Sequence, residues 1–464
     1  MSNKETLKRI IILFWSLLGI LSTTLIYGYE WLNVLRGTYV WRINLYFKGH
    51  ILMIVIYGAL LFFFSSVMGG FKIGYLKPMD VFLSNTFAII IVDVVSYFQI
   101  ALMETRLFKG NSMITMAVFQ IIFAGIWTIL GNILYRVFFP PRKLLFVYGD
   151  HNTEDILNKF ATRKDKYIIA NKISMETTES ALRKEMLSDA YDGVVLWDIP
   201  AKLRNRQLKY LYAHNKRVYM MPKISDVIIK GSDQLHLFDT PIFLTREYSL
   251  KVEQRAAKRL IDIVCALILA VVTSPIMLLT AIIIKCYDGG PILYRQTRCT
   301  IKGREFKIMK FRSMRTDAEK DGVARLASKN DNRITPIGKF IRAVRIDELP
   351  QLFNILKGDM SFIGPRPERP EIIKQYMEDM PEFAFRMKVK AGLAGYAQVY
   401  GKYNTTPYDK LKLDLSYIEN YSVWLDIKLM LLTLKILFTP DATEGVESNQ
   451  TTAAKSDADT VEKI

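Results

Sequence analysis

The chain has 464 residues, a formal net charge of +18 and 50% hydrophobic residues, enough for two or three domains and an ample core. A basic balance combined with this much apolar content fits a membrane surface or a phosphate-rich substrate; nucleic acid fits less well, because the apolar residues come in membrane-length blocks. The three cysteines, Cys265, Cys286 and Cys299, show no CxxC spacing, so neither a disulfide framework nor a zinc site is indicated, and a reducing, cytoplasm-facing environment is the default.

Four apolar blocks fill the first third, at 10–29, 51–68, 81–103 and 114–139, and each reaches or approaches the ~20 residues a helix needs to cross a bilayer. No small-residue cleavage site follows the first block and more spans do, so a signal peptide is a poor alternative. Asp93, inside the third block, is expensive in lipid and is expected to face another helix in a packing role. Lys4, Lys8 and Arg9 before the first span, Lys72 and Lys77 between the second and third, and Arg136, Arg142 and Lys143 after the fourth place those segments in the cytoplasm. Arg36, Arg42, Lys48, Arg106 and Lys109 on the opposite loops dilute that signal, but an even number of spans still keeps both ends on one side.

From 143 the pattern changes to strands alternating with polar helices: "KLLFVYG", "KYIIANKIS", "GVVLWDI" and "RVYMMPK". This predicts a small parallel-sheet α/β domain of Rossmann-like form, taken to extend over 143–245. Its first turn, "GDHNTED", has one glycine where a dinucleotide fingerprint needs three, so a regulatory or oligomerisation module is favoured over nucleotide binding.

The next apolar block, 260–284, would measure ~38 Å as a straight helix. Lys251, Arg255, Lys258 and Arg259 precede it and Lys285, Arg295, Arg298 and Lys302 follow it, so both flanks favour the cytoplasm. Ser274 and Pro275 fall in its middle, where proline removes a helical hydrogen bond. The expectation is a re-entrant helical hairpin broken at Ser274-Pro275; the alternative is a fifth ordinary span kinked there.

Beyond it, "KGREFKIMKFRSM" at 302–314 alternates like a strand and puts Lys310 and Arg312 on one face, where paired cations can hold a diphosphate or make a basic membrane edge. "RIDELPQL" brings Asp347 and Glu348 side by side. Adjacent residues do not share a face, so two separate duties suit them better than a matched acid and base. A carboxylate beside a phosphate can attack phosphorus, a neighbouring one can hold a metal, and acidic residues also favour the first turn of a helix. The four histidines, His50, His151, His214 and His236, leave everything after 236 without an imidazole, so a metal there needs oxygen ligands, which favours magnesium or manganese. In "GPRP", Pro365 and Pro367 restrict the backbone around Arg366, whose fork of donors suits a phosphate. "SVWLDIKLMLLTLKILF" suits an interfacial helix, and the polar tail 441–464 reads as disordered.

Seven stretches, "KRLIDIV" (258–264), "SP" (274–275), "GGPILYRQTR" (289–298), "KGREFKIMKFRSM", "DNRITPIGKFIR" (331–342), "DELPQLFNILKGDMSFIGPRPE" (347–368) and "AGLAGYAQVYGK" (391–402), make this sequence resemble the bacterial sugar transferases that act as polyprenyl-phosphate hexose-1-phosphate transferases. The four-span region and α/β module look like the larger members, of the undecaprenyl-phosphate glucose or galactose phosphotransferase type that starts exopolysaccharide, capsule or O-antigen units. The resemblance implies a membrane protein of α plus α/β class: four transmembrane helices (1–142), the Rossmann-like domain (143–245) and a monotopic catalytic domain (246–440) carrying the re-entrant helix. It also implies Mg2+ and a two-step reaction in which an aspartate attacks the sugar-side phosphate of a UDP-sugar, UMP leaves, and undecaprenyl phosphate takes the phosphosugar.

Carried over by motif position, Asp347 is the nucleophile, Glu348 the metal ligand, and Lys310, Arg366 and less directly Arg312 the phosphate-binding cations. The chain departs from the family pattern at Ala391, usually proline, and Ala394, often threonine, in a stretch expected to shape the nucleotide or sugar pocket. The implied setting is the cytoplasmic face of a bacterial inner membrane. Besides both substrates and membrane lipid, a homodimer and other polysaccharide-assembly proteins are the expected partners. Two rivals remain at this point: an ordinary glycosyltransferase, which would release UDP, and a non-catalytic membrane scaffold.

Overall fold

In the computed structural model, the described residues are 2–35, 46–149, 153–237, 239–245, 250–315, 331–401 and 405–436. The tail 441–464, residues 150–152 of the first α/β turn, and Arg36 and Arg42 lie outside them. The chain divides into two units, Met1–Met221 and Pro222–Ile464.

The first unit begins with α1 (Ser2–Glu30, continued by a π-helical turn Trp31–Leu35), α2 (Phe47–Met68), α3 (Pro78–Glu104) and α4 (Asn111–Phe138). Each is long and apolar enough to cross a membrane, and their many exposed leucines, isoleucines and phenylalanines suit a lipid solvent. Asp93 does face other helices. The Tyr57 hydroxyl donates to its Oδ1 (2.7 Å), Gln120 Nε2 donates to the Tyr57 oxygen (3.0 Å), and the same amide reaches the Thr23 carbonyl (3.3 Å). One polar chain thus ties all four helices together, the kind of contact that substitutes for the missing hydrophobic drive between helices in lipid.

The α/β part follows as β1 (Arg142–Tyr148), α5 (Glu154–Ala161), β2 (Tyr167–Ser174), α6 (Glu179–Leu187), β3 (Gly193–Trp197), α7 (Ala201–Ala213) and β4 (Arg217–Met220). All strand pairs are parallel, in the order β2-β1-β3-β4. Central β1 buries Leu144, Leu145, Phe146 and Val147 consecutively, as a strand covered on both faces must.

The boundary expected at 245 falls at 221. Residues 222–245 form α8 (Ile224–Lys230) and an antiparallel hairpin, β5 (Asp233–Leu237) with β6 (Thr240–Leu244), and they belong to the second unit. The reason is apolar burial: Val227 of α8 enters a core with Leu411 and Leu415 of α14 (Pro407–Glu419).

The second unit is organised on α9, Val252–Asp288, a single helix of 37 residues where two helices joined by a turn were expected. Pro275 sits inside it, and its missing N–H would orphan the Val271 carbonyl. The Ser274 hydroxyl donates to that oxygen (2.8 Å), so the helix continues. Both halves of α9 pack on the same unit. Ala266 joins Phe306, Ile308, Leu352 and Ile355; Ile284 joins Phe311 and Ile341, with Met277 and Ala281 against them. Between and around these contacts Leu267, Ile268, Val271, Val272, Leu278 and Leu279 are exposed.

After α9 come the antiparallel pair β7 (Leu293–Cys299) and β8 (Glu305–Phe311), then α10 (Pro336–Ala343), α11 (Gln351–Lys357), β9 (Ser361–Ile363), α12 (Pro370–Asp379), β10 (Gly392–Ala394, parallel to β9), α13 (Tyr396–Tyr400), α14 and α15 (Val423–Ile436). In α15, expected as an interfacial helix, Asp426 is buried and ion-paired to Lys258 of α9, while Trp424 and Leu434 are exposed.

Candidate active site

Asp347 and Glu348 lie in a 3-10 turn, Ile346–Glu348, that links α10 to α11. Arg345 just before it is left-handed (φ 59°), which turns the chain sharply; Asp347 is buried and Glu348 partly buried. On β8, Phe306 and Ile308 are buried, and Lys310 two residues on follows the same face out of the core. Its Nζ donates to Glu348 Oε1 (3.1 Å), Arg366 Nη2 donates to the same oxygen (3.2 Å), and Arg345 Nη1 lies 3.7 Å from it.

This arrangement separates the two acids electrostatically. Burial by itself would raise the Glu348 carboxyl, but the charges of Lys310, Arg366 and Arg345 outweigh it and hold the group well below the usual carboxylate range. Asp347 goes the other way: burial pushes it up and the Glu348 charge adds to the effect, against Lys310, Arg342 and Arg345. Asp347 Oδ1 is buried and has no hydrogen-bond partner, whereas the Glu348 contacts all fall on Oε1. Among the described residues no group of three or more His, Cys, Asp or Glu forms a metal cage. The Asp347–Glu348 pair still suits magnesium, which takes one or two carboxylates and completes its shell with water and substrate phosphates.

Arg312, expected beside Lys310, is drawn elsewhere. Its Nη2 pairs with Asp288 at the end of α9, and its guanidinium lies against Gly290. Ser274 and Pro275 stay within α9, outside this cluster.

The loop carrying Arg366 is held at nearly every carbonyl. Lys258 Nζ reaches the Ile363 oxygen (2.9 Å), Gly392 N the Pro365 oxygen (2.9 Å), Arg386 Nη2 the Arg366 oxygen (3.0 Å), Arg298 Nη1 the Pro367 oxygen (3.1 Å) and Cys299 N the Glu368 oxygen (3.0 Å). Pro365 and Pro367 have no N–H to satisfy, so rigid φ values and outside donors together fix where Arg366 points. Arg386, Lys410 and Asp426 were not singled out from sequence as parts of a site, and Lys258 and Arg298 entered only as the basic flanks of an apolar block. Their partners lie tens to more than a hundred residues away, and the available hint was an excess of buried-capable cations around "GPRPE".

Glu368 anchors the far side of this loop through Lys410, Arg386 (3.5 Å) and Arg298 (3.6 Å). Burial opposes its ionisation, but these three charges bring its carboxyl down from 4.5 to about 2. A depressed carboxylate stabilises the fold fully above its unfolded value and loses that contribution as pH falls through the folded one, here from about pH 4.5 to about pH 2. The shift corresponds to roughly 3 kcal/mol. Denaturant titrations of Glu368→Gln are therefore expected to show lower stability than the parent at neutral pH and a flatter acid limb across that window.

The close approach of β9 and β10 also dictates glycine. A Cβ on Gly392 would lie 2.1 Å from the Gly364 nitrogen and 2.5 Å from the Ala394 oxygen, both backbone atoms that cannot swing aside. Gly392→Ala is expected to cost about 1–3 kcal/mol in chemical unfolding, and to displace Arg366 as the Gly364 backbone moves.

Residues 253–440 match the family described as bacterial sugar transferase. The chain is 43% identical over 185 residues to the UDP-N-acetylgalactosamine-undecaprenyl-phosphate N-acetylgalactosaminephosphotransferase of Aeromonas hydrophila, covering 39% of this chain and 44% of that protein. It is 40% identical over 189 residues to a UDP-glucose:undecaprenyl-phosphate glucose-1-phosphate transferase of Caulobacter vibrioides, covering 40% of this chain and 70% of the relative. With the undecaprenyl-phosphate galactose phosphotransferase of Salmonella typhimurium it shares 34% identity over 302 residues, 57% of this chain and 62% of that one. The match to the Aeromonas protein thus spans less than half of that relative's length.

Proposed function

The chain belongs to the bacterial sugar transferase family, and on that premise we propose that it transfers hexose-1-phosphate from a UDP-sugar to undecaprenyl phosphate, releasing UMP. The observation that carries the proposal is the divided acid pair: Asp347, raised by burial with one oxygen unpartnered, beside a Glu348 kept ionised by Lys310 and Arg366. A carboxylate with a raised pKa is a better nucleophile, and an oxygen without a hydrogen bond has no partner to lose on attack.

In the first step an Asp347 oxygen forms a bond to the sugar-side phosphorus as the phosphoanhydride bond breaks, and UMP takes the bonding electrons. Lys310 and Arg366 stand where the charge of the diphosphate gathers and pre-empt water as its counterions. In the second step a phosphate oxygen of undecaprenyl phosphate attacks the same phosphorus, a new phosphoanhydride forms, and the Asp347 carboxylate is freed. Magnesium bound by Glu348 and Asp347 would supply neutralisation of the diphosphate oxygens. Arg312, paired with Asp288, contributes by fixing the end of α9.

Membrane association follows from the apolar helices and the family. The finer proposal is that α9, helical throughout but bent at Ser274-Pro275, enters one leaflet and returns, leaving the site in the cytoplasm at the inner membrane. Its support is that residues on both sides of Ser274-Pro275 pack on one unit. A helix that crossed the whole ~30 Å hydrocarbon core would carry its second half away from that unit. Initiation of exopolysaccharide, capsule or O-antigen synthesis is the corresponding place in the cell.

The test is incubation of purified protein with radiolabelled UDP-sugars, magnesium and undecaprenyl phosphate. Label should move into lipid with stoichiometric UMP. Release of UDP would instead indicate ordinary glycosyl transfer, and no nucleotide release would favour the scaffold. Glu348→Gln is expected to lower the rate at least ~100-fold, because three cations then face a neutral oxygen and the metal loses a ligand.

A further inference from the structure

β8 lies in a two-stranded sheet with β7, so among the described residues its outer edge has no partner strand. Two backbone groups on that edge are met by one side chain. Asn354 of α11, 1% exposed, donates from Nδ2 to the Lys307 carbonyl (2.9 Å) and accepts at Oδ1 from the Met309 N–H (2.9 Å). Alternate residues of a strand turn their backbone groups to the same edge, so the amide supplies there the donor and the acceptor that a neighbouring strand would offer. At the C-terminal end of α11, Arg259 of α9 donates to the Ile355 carbonyl from Nη1 (2.6 Å) and to the Leu356 carbonyl from Nη2 (2.7 Å), satisfying oxygens that have no partner inside the helix.

These contacts join the two elements that bring an acid and a cation together. Met309 immediately precedes Lys310 on β8, Glu348 closes the turn that leads into α11, and Lys310 Nζ meets Glu348 Oε1 at 3.1 Å. Leu352 and Ile355 pack with Phe306 and Ile308, but apolar contact is non-directional and lets a helix slide along a strand by a fraction of a residue rise. Two hydrogen bonds to fixed points on the strand do not allow that slide, because they weaken steeply with distance and angle. With Arg259 holding the other end, the helix cannot pivot about Asn354 either.

We propose that Asn354 is a positioning residue for the transfer reaction: by fixing α11 to the edge of β8 it sets the spacing between Lys310 and Glu348, with Arg259 steadying the opposite end of the helix. That role rests on the reading of Lys310 as a phosphate-binding cation and Glu348 as the magnesium ligand. It makes Asn354→Asp an informative change. A protonated carboxyl has nearly the shape of the amide and the same two functions, an O–H for the Lys307 carbonyl and a C=O for the Met309 N–H. Once ionised it carries acceptors only, one of them facing the Lys307 carbonyl, and helix and strand are pushed apart. Burial keeps such a carboxyl protonated beyond the ordinary carboxylate range, so both forms can be reached by changing the buffer.

The full chain in a neutral detergent, as parent, Asn354→Asp and Asn354→Leu, would be assayed for UMP release and for amide hydrogen exchange by mass spectrometry, in mildly acidic and mildly alkaline buffer. In alkaline buffer Asn354→Asp should stay folded yet lose on the order of 10- to 100-fold in kcat relative to the parent, the cost of a misplaced reacting group, and its peptides covering 346–350 and 305–311 should exchange faster. In acidic buffer both deficits should shrink to within a few-fold of the parent. Asn354→Leu, which has neither donor nor acceptor, should show its deficit in both buffers. Parent-like turnover and exchange of Asn354→Asp in alkaline buffer overturn the proposal, as does a deficit that acid does not relieve. Global unfolding on ionisation, with no folded species of low turnover, overturns it in favour of a merely structural role. A parent that releases no UMP defeats the transfer reading instead; the exchange measurement then still decides whether Asn354 sets the spacing, since loosening of both peptides that acid reverses supports it and unchanged exchange contradicts it.

Discussion

Asp347→Asn is expected to abolish UMP release, lowering turnover at least ~1000-fold, while leaving the protein no less stable than the parent. Asparagine keeps the shape but cannot form the acyl phosphate. Stability should survive because ionised Asp347 is a burden in the folded state: burial and Glu348 raise its carboxyl above the ordinary value. A carboxylate raised on folding favours the fold where it is protonated and opposes it once pH exceeds the folded value, so removing its charge costs nothing at neutral pH. Turnover and melting temperature measured on one preparation check both halves. Loss of activity together with a large fall in melting temperature would point to collapse of the turn instead of loss of a nucleophile.

Lys258→Met is expected to be among the most destabilising single changes, by about 3–5 kcal/mol. Lys258 Nζ is enclosed by Asp426 Oδ2 (2.6 Å), the Ile363 carbonyl (2.9 Å) and the Tyr417 hydroxyl (3.1 Å). Methionine fills the volume but leaves Asp426 buried without its cation. The double variant Lys258→Met/Asp426→Leu should recover much of the loss, since the penalty comes from the uncompensated charge. Denaturant unfolding of the two singles and the double measures the coupling, and additive losses would remove the pair from the account. Because Lys258 also holds the carbonyl just ahead of Gly364, the single variant should raise the KM for the UDP-sugar in whatever fraction remains folded.

These two sites show which features local pattern reveals. The four membrane-length helices and the parallel strands through β4 were legible because apolar periodicity and buried runs are properties of neighbouring residues. Lys310, Glu348 and Arg366 stood out through motif context, and the fold brings their side chains to one carboxylate oxygen. Arg312 did not follow Lys310: Asp288, 24 residues earlier, offers it a closer counterion, and no strand alternation reveals that competition. That the chain stays helical through Pro275 was hidden for a similar reason. Proline marks a lost hydrogen bond, but the Ser274 hydroxyl that repairs it acts through its rotamer. Residues 222–245 looked like more of the α/β module until Val227 met Leu411 across nearly two hundred residues.

The framework around Arg366 lies at the same limit. Lys258 and Asp262 are polar residues on an otherwise membrane-like helix, and sequence presents them as flanking charges. In the fold Asp262 Oδ1 accepts from Ser361 Oγ and the Phe362 N–H, both at 2.9 Å, while Lys258 holds Ile363. The helix whose apolar side is exposed thus fixes, from its polar side, the strand that leads into the loop carrying Arg366.

The most direct measurement is the intact mass of the protein after brief exposure to a UDP-sugar and magnesium without lipid acceptor. The account predicts an adduct equal to one sugar phosphate, localised to the peptide containing Asp347, formed with one equivalent of UMP, absent in Asp347→Asn and discharged by undecaprenyl phosphate. Full turnover with UMP release but no adduct under rapid quenching, or an adduct on another residue, would contradict it.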